Sequence, residues 1–307
     1  MLEGPITTQE ARRAGFTRRQ LRSKRWRTPF RGVHEASDSP QSLLSQCRAL
    51  ARVLPEGAVF SGITVARLRG WWLPRDADCL PIHVTVPPAC VVERKGVRAT
   101  RRQLEPHEIT EFEGLRLTSG LRTLKDLAAD WSLIDLVVLA DAALHFGDCS
   151  DADWQAAGKS RGGRGIRNLR RATTLTDERS ESAMETLLRL LVVLSGLPPP
   201  KPQVILLDDA GGWLARVDLL APDGVTVLEY DGASHDAPKR HNADVRRWCL
   251  LQRHGFKVFP YTARDLFRGA AQVVADYQDA LGLPRDPSAV EGWLREFRRS
   301  SFGRPPT

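Results

Sequence analysis

The hydrophobic and polar positions divide the last third of the chain into segments of helical and strand period. Met184, Leu187, Leu188, Leu191 and Leu194 recur at helical spacing, predicting a helix over 180–194 that Gly196 and Pro198–Pro200 stop. Over 214–235 the period falls to two. Val217, Leu219 and Leu220 form one arm, and Val225, Val227, Leu228 and Tyr230 form the other. Pro222-Asp223-Gly224 sits between the arms as a turn, because proline presets φ and glycine accepts φ > 0. Helical period returns at His241–His254, with Val245, Trp248, Cys249 and Leu251 inward and Gly255 as the stop. The strand Lys257–Tyr261 and a helix from Ala263 to Leu281 complete an α/β unit. Pro260 cannot donate to a ladder, so this strand is expected at an edge.

Upstream, Gln41–Val53, Ser119–Asp130 and Leu133–Phe146 carry helical spacing, and Ile82–Val86 alternates as a strand. At the N-terminus Thr7 or Thr8 caps a helix through Ala14, and Thr17 caps a second, beginning Arg18-Arg19-Gln20. Trp26-Arg27 and Gly32-Val33 then read as a returning β arm. Helix, turn, helix and basic β wing are the pattern of a winged helix-turn-helix.

Within the hairpin, Asp218 and Glu229 interrupt otherwise apolar strands, and Glu229 and Asp231 share a face because they lie two apart. Three carboxylates at a hairpin end repel one another unless a cation neutralises them, and an oxygen-rich set suits Mg²⁺ or Mn²⁺. On the preceding helix, Ser182 to Glu185 matches a capping box, a structural role that competes with a site role for Glu185.

Charge sharpens the picture at the N-terminus. The chain has 307 residues and a formal charge of +8, and residues 1–35 hold 9 Lys or Arg against 3 acids, 9 − 3 = +6 of that excess. Such a balance favours a polyanion. Arg18, Arg19, Gln20, Arg22 and Arg27 are therefore the candidate DNA-binding residues, the first four on a helix that would enter the major groove. A second basic run, Lys159 to Arg171, is rich in Gly and Arg, and suits either a flexible connector or a strand lying along phosphates. Cys47, Cys79, Cys90, Cys149 and Cys249 form no CxxC pair, which argues against a zinc site or a disulfide framework. No apolar run approaches a membrane span, so a cytoplasmic location with no membrane partner is expected.

These readings give a multi-domain α/β chain. Its parts are a winged helix-turn-helix at 1–35, a mixed α+β region at 36–150, a basic linker at 151–179, an α/β/α unit at 180–284 and a basic tail at 285–307.

Two resemblances add expectations. The run ITTQEARRAGFTRRQLRSKRWRTPFRGVHEA resembles the N-terminal winged helix of AbiEi-type abortive-infection antitoxins. It implies DNA as a partner, with a cognate toxin or homo-oligomer as further possibilities. Glu185 in S-x-M-E-T, Asp218 in V-D-L, and Glu229 and Asp231 in E-Y-D-G are similar to bacterial proteins whose C-terminal domain resembles the very-short-patch repair endonucleases of the PD-(D/E)xK superfamily. His235, Arg240, Asp244 and Arg247 continue that match. It implies a restriction-endonuclease-like fold with Asp218 as the main metal ligand and Glu229 or Asp231 as the second, Glu185 acting through a water, and His235 or His241 in proton transfer. The chain departs from the motif where Asp231 stands in the lysine position, and Lys239 is the candidate replacement. The expected activity is Mg²⁺-dependent hydrolysis of DNA phosphodiesters, the competing class a non-catalytic, antitoxin-like regulator.

Overall fold

The computed structural model describes residues 4–74, 77–78, 80–232 and 237–303, without the side chains of 237–244. It is a mixed α/β chain of two units, residues 1–71 with 75–127, and residues 72–74 with 128–307.

The first unit holds two sheets. β1 (Ile6–Thr7), α1 (Thr8–Arg13), α2 (Arg18–Leu21), β2 (Trp26–Arg27) and β3 (Val33–Ala36) form an antiparallel sheet of order β1-β3-β2 with two short helices. Thr7 and Thr17 cap these helices as expected, each in a reciprocal box with Glu10 or Gln20. Ile6, Ala11 and Leu21, with Phe16 and Trp26 beside them, supply the small core.

Next come α3 (Leu43–Ala51), β4 (Val59–Phe60), α4 (Ile63–Leu68), β5 (Ile82–Val86), β6 (Val97–Arg101), β7 (Ile109–Phe112), β8 (Leu115–Thr118) and α5 (Gly120–Leu127). Their sheet runs β6-β5-β4-β8-β7, and Leu50, Phe60, Val84 and Leu117 meet in its core.

The second unit opens on α6 (Leu133–His145), which is buried almost all round, followed by α7 (Asp151–Gly158) and α8 (Ile166–Thr173). The stretch expected as a linker is thus a helical layer. Its few apolar side chains are well used: Trp154 is fully buried with its indole N–H on Thr176 at 3.1 Å, and Leu169 and Ala172 are buried from α8.

α9 (Ala183–Leu194) leads into β9 (Lys201–Leu207), β10 (Trp213–Leu220) and β11 (Thr226–Tyr230), then α10 (Ala237–Arg253) and β12 (Lys257–Tyr261). The sheet order is β12-β11-β10-β9, antiparallel throughout except the parallel pair β11–β12. β10 and β11 are the expected hairpin, Gly224 takes φ +74° in its turn, and β12 with Pro260 lies at the edge. β9 had no clear signal, because a Pro-rich stop precedes it and its apolar residues do not alternate cleanly. α10 begins at Ala237 rather than His241, so Lys239 lies on a helix and not in a loop.

The helix expected over 263–281 is two, α11 (Ala263–Arg268) and α12 (Ala270–Ala280), broken at Gly269. Residues 285–303 are not a loose tail. α13 (Glu291–Phe297) buries Trp293 completely, and Ser300 and Ser301 bond Asp135 of α6 at 2.6 and 3.0 Å. A Cβ on Gly292 would meet the Leu194 carbonyl of α9 at 2.1 Å, so only glycine permits this approach. Among the described residues, no helix is long and apolar enough to cross a membrane.

Candidate functional site

The β10–β11 register pairs Leu219 with Leu228 and Leu220 with Val227. Carried one residue further, it sets Asp218 opposite Glu229, and opposed residues of an antiparallel pair share a face with their Cβ atoms about 4.5–5.5 Å apart. The β9–β10 register pairs Val217 with Val204 and Leu219 with Pro202, which sets Gln203 opposite Asp218 in the same way. One row across the sheet therefore reads Gln203, Asp218, Glu229.

Each member of the row is held by specific bonds. Asp218 Oδ2 accepts the Tyr230 backbone N–H at 2.9 Å. Glu229 is 2 % exposed, and its Oε2 accepts from Arg247 Nη2 of α10 at 2.9 Å. The same guanidinium donates from Nη1 to the Arg216 carbonyl at 3.2 Å, tying α10 across the hairpin. Glu229 Oε1 is buried and has no hydrogen-bond partner among the described residues. Such an atom costs about 1–3 kcal/mol of desolvation unless a ligand or water reaches it. Gln203 has φ +53° and donates from Nε2 to Glu185 Oε2 at 2.9 Å, so a left-handed non-glycine residue stands beside the pair.

Glu185 bonds groups at the start of α9 without closing the expected box onto the Ser182 N–H. Its Oε1 accepts from the Ser182 hydroxyl at 2.8 Å and its Oε2 from the Glu181 N–H at 2.9 Å. Its charge still reaches Asp218. Burial first, and then the Glu185 and Glu181 carboxylates, push the Asp218 carboxyl up to about 6, against the Tyr230 N–H and Arg247. Burial and then the Asp218 charge push Glu229 up to about 7, with Arg247 opposing.

Asp231 lies just past the end of β11, its N–H on the Tyr261 carbonyl at 2.8 Å, and among the described residues no bond joins its carboxylate to the pair. His235 lies outside the described residues, as do the side chains of Lys239 and His241. Among the described residues no group of three or more His, Cys, Asp or Glu is arranged to hold a metal ion. Mg²⁺ does not require one, since it commonly takes one or two carboxylates and completes its octahedron with water and substrate phosphate. Two opposed carboxylates, one with a buried oxygen that has no partner among the described residues, fit such an ion as hard donors. Sequence reasoning missed Gln203 and the bond from Arg247, because neither lies within local range of the hairpin.

These shifts set a pH dependence. Both carboxyls hold protons more tightly folded than unfolded, so their contribution to stability is lost as pH rises from about 4 through about 7. In EDTA, the wild type is expected to lose about 1–3 kcal/mol more than Glu229→Gln over that window. Denaturant melts at both ends of the window would reject this cause if the two proteins lost stability in parallel.

At the other candidate surface, Arg18, Arg19 and Arg22 are exposed and form no ion pair among the described residues. Gln20 is occupied as the α2 cap, accepting from Thr17 N at 2.7 Å. Arg27 is engaged within the sheet: its Nε donates to Glu35 at 2.8 Å and its Nη2 to the Pro40 carbonyl at 3.2 Å. Arg27 stands on the edge strand β2 directly opposite Glu35 of the central strand β3, so the facing acid is its nearest partner.

No family model matches the chain, and no solved structure does. It is 34% identical over 246 residues to an uncharacterised protein of Mycobacterium tuberculosis strain CDC 1551 / Oshkosh. The counterpart in strain H37Rv is equally similar, and each match covers 80% of this chain and 88% of the relative. The chain belongs to the family of these mycobacterial proteins.

Proposed function

We propose that this chain is a DNA-binding protein whose residues 180–284 form a metal-dependent, endonuclease-like domain that hydrolyses DNA phosphodiesters. The observation that carries the reading is the Asp218–Glu229 pair, opposed on one sheet face, with Glu229 Oε1 buried and without a hydrogen-bond partner among the described residues. The order α9-β9-β10-β11-α10-β12 supports it, being that of the restriction-endonuclease-like core, which the resemblance to the very-short-patch repair endonucleases implies. Asp218 and Glu229 would hold Mg²⁺ or Mn²⁺, which in such a site supplies a water of lowered pKa and charge stabilisation. The chain's own residues keep the acids in place: the Tyr230 N–H orients Asp218, Arg247 orients Glu229, and Gln203 links the row to Glu185. A nicking assay on supercoiled DNA with and without Mg²⁺ tests the reading, and no Mg²⁺-dependent nicking on any DNA substrate would overturn it.

Residues 4–36 would grip the duplex as a winged helix, with α2 at the major groove. Replacing Arg18, Arg19 and Arg22 by alanine is expected to lower the log–log salt slope of DNA binding by about one for each phosphate no longer neutralised. Folding should not change, since all three are exposed. An unchanged slope would remove α2 from the interface.

Two observations favour the second reading, a non-catalytic, antitoxin-like regulator that uses the nuclease fold for binding. Arg247 already neutralises Glu229, and Asp231 stands where the superfamily carries its lysine. DNA binding that is independent of Mg²⁺, without cleavage, would select this reading.

A further inference from the structure

The Gly/Arg run of 159–171 lines a cavity of about 590 Å³ in the second unit, between the segment leading into α6 and the start of α8. Trp131, Arg167, Arg171 and Arg299 stand in its wall, with Asp130 and Glu296 as its acids. Each acid is already taken by an arginine: Asp130 by Arg164 at 2.6 Å, and Glu296 by Arg171 at 2.9 Å. Arg167 and Arg299 are exposed and have no ion pair among the described residues. The wall beneath them is braced, because Asn168 Nδ2 donates to the Ala128 and Trp131 carbonyls at 3.2 and 2.9 Å.

A cleft whose acids are neutralised and whose remaining charges are guanidinium groups focuses a positive field on its opening. Guanidinium recognises phosphate oxygens with paired N–H donors. Two uncompensated guanidiniums over a space larger than one phosphate group suit a run of phosphodiester backbone better than a single free anion. We propose that this cavity is a second nucleic-acid contact, which binds backbone phosphates through Arg167 and Arg299. It takes only the kind of polyanion from the DNA-binding reading above and does not depend on cleavage.

The test is the salt dependence of duplex binding by the full chain, read by fluorescence anisotropy in EDTA between about 50 and 200 mM salt. For Arg167→Ala/Arg299→Ala the log–log slope should fall by about 0.9 for each phosphate no longer neutralised, nearly two in all, with affinity down about tenfold or more. Arg167→Lys/Arg299→Lys keeps both charges and should retain most of the slope. An unchanged melting temperature identifies the alanine variant as folded, and an unchanged slope in that folded variant overturns the proposal. So does a second outcome, in which pyrophosphate stabilises the wild type but not the variant while the duplex slope stays the same, since the cavity would then serve a small phosphorylated ligand. Because the readout excludes Mg²⁺, absence of nicking leaves this phosphate site standing, and failure of the phosphate site leaves the nuclease reading to its own assay.

Discussion

Asp218→Asn is expected to abolish Mg²⁺-dependent cleavage while leaving the protein in EDTA as stable as the wild type or more so. Asparagine keeps an oxygen to accept the Tyr230 N–H and removes a charge that burial, Glu185 and Glu181 all oppose. Asp218→Ala removes both, and the orphaned N–H should offset the electrostatic relief by about 1 kcal/mol. Loss of one preorganised charge at a reaction centre lowers turnover by about 10²–10³-fold or more, so both variants should fall below detection in the nicking assay. Affinity for DNA in EDTA should hold or rise, because Asp218 repels phosphate when no cation lies between them. The comparison is made by melting temperature with and without Mg²⁺ alongside cleavage. A large drop for Asp218→Asn in EDTA would make Asp218 part of the scaffold, and Mg²⁺ stabilising wild type and variant equally would sink the metal site.

The largest effect on folding should come from Arg189→Leu. Asp141 of α6 is fully buried and accepts from Arg189 Nη2 at 2.6 Å, the Thr186 hydroxyl at 2.8 Å and the Asp177 N–H at 2.8 Å. Arg189 Nη1 donates to the Leu175 carbonyl at 2.5 Å. Arg189 therefore joins α9 to both α6 and the segment after α8, and removing it strands a carboxylate in the interior. Breaking a buried pair in this way costs about 3–5 kcal/mol, far beyond the roughly 0–1 kcal/mol of a surface ion pair. Arg189→Leu with Asp141→Asn should recover part of the loss, since the amide can keep the Thr186 hydroxyl and the Asp177 N–H as donors. Urea denaturation of the two variants checks this. A loss under about 1 kcal/mol for Arg189→Leu would mean that the Asp141 carboxylate is not held as a buried ion.

Local chemistry was legible wherever its causes lie a few residues apart. Thr7, Thr17 and Ser182 cap the helices that follow them because a short side-chain oxygen reaches the N3 amide. The β10–β11 hairpin follows from period two and a Pro-Asp-Gly turn, and the observed register then sets Asp218 opposite Glu229. The Ser182 cap was equally readable, but the reciprocal half of the expected box is not formed: Glu185 reaches the Glu181 N–H and the Ser182 hydroxyl instead of the Ser182 N–H.

What the sequence determined by itself is thus the period, the caps, the turn and the presence of acids on both arms of the hairpin, each governed by backbone geometry within one or two turns of chain. Only the tertiary structure decided that β9 completes the sheet and brings Gln203 level with Asp218. It alone aims Arg247 at Glu229 from 18 residues away, commits Arg27 to Glu35, and packs α7, α8 and α13 where a linker and a tail were expected. The reason is burial. α8 has few apolar residues, and it is ordered by burying Leu169 and Ala172 in its own unit and by the bonds of Asn168 to the Ala128 and Trp131 carbonyls. Gly/Arg composition reads as solvated chain until such partners are in place, because the free energy that orders it resides in contacts between segments rather than within them.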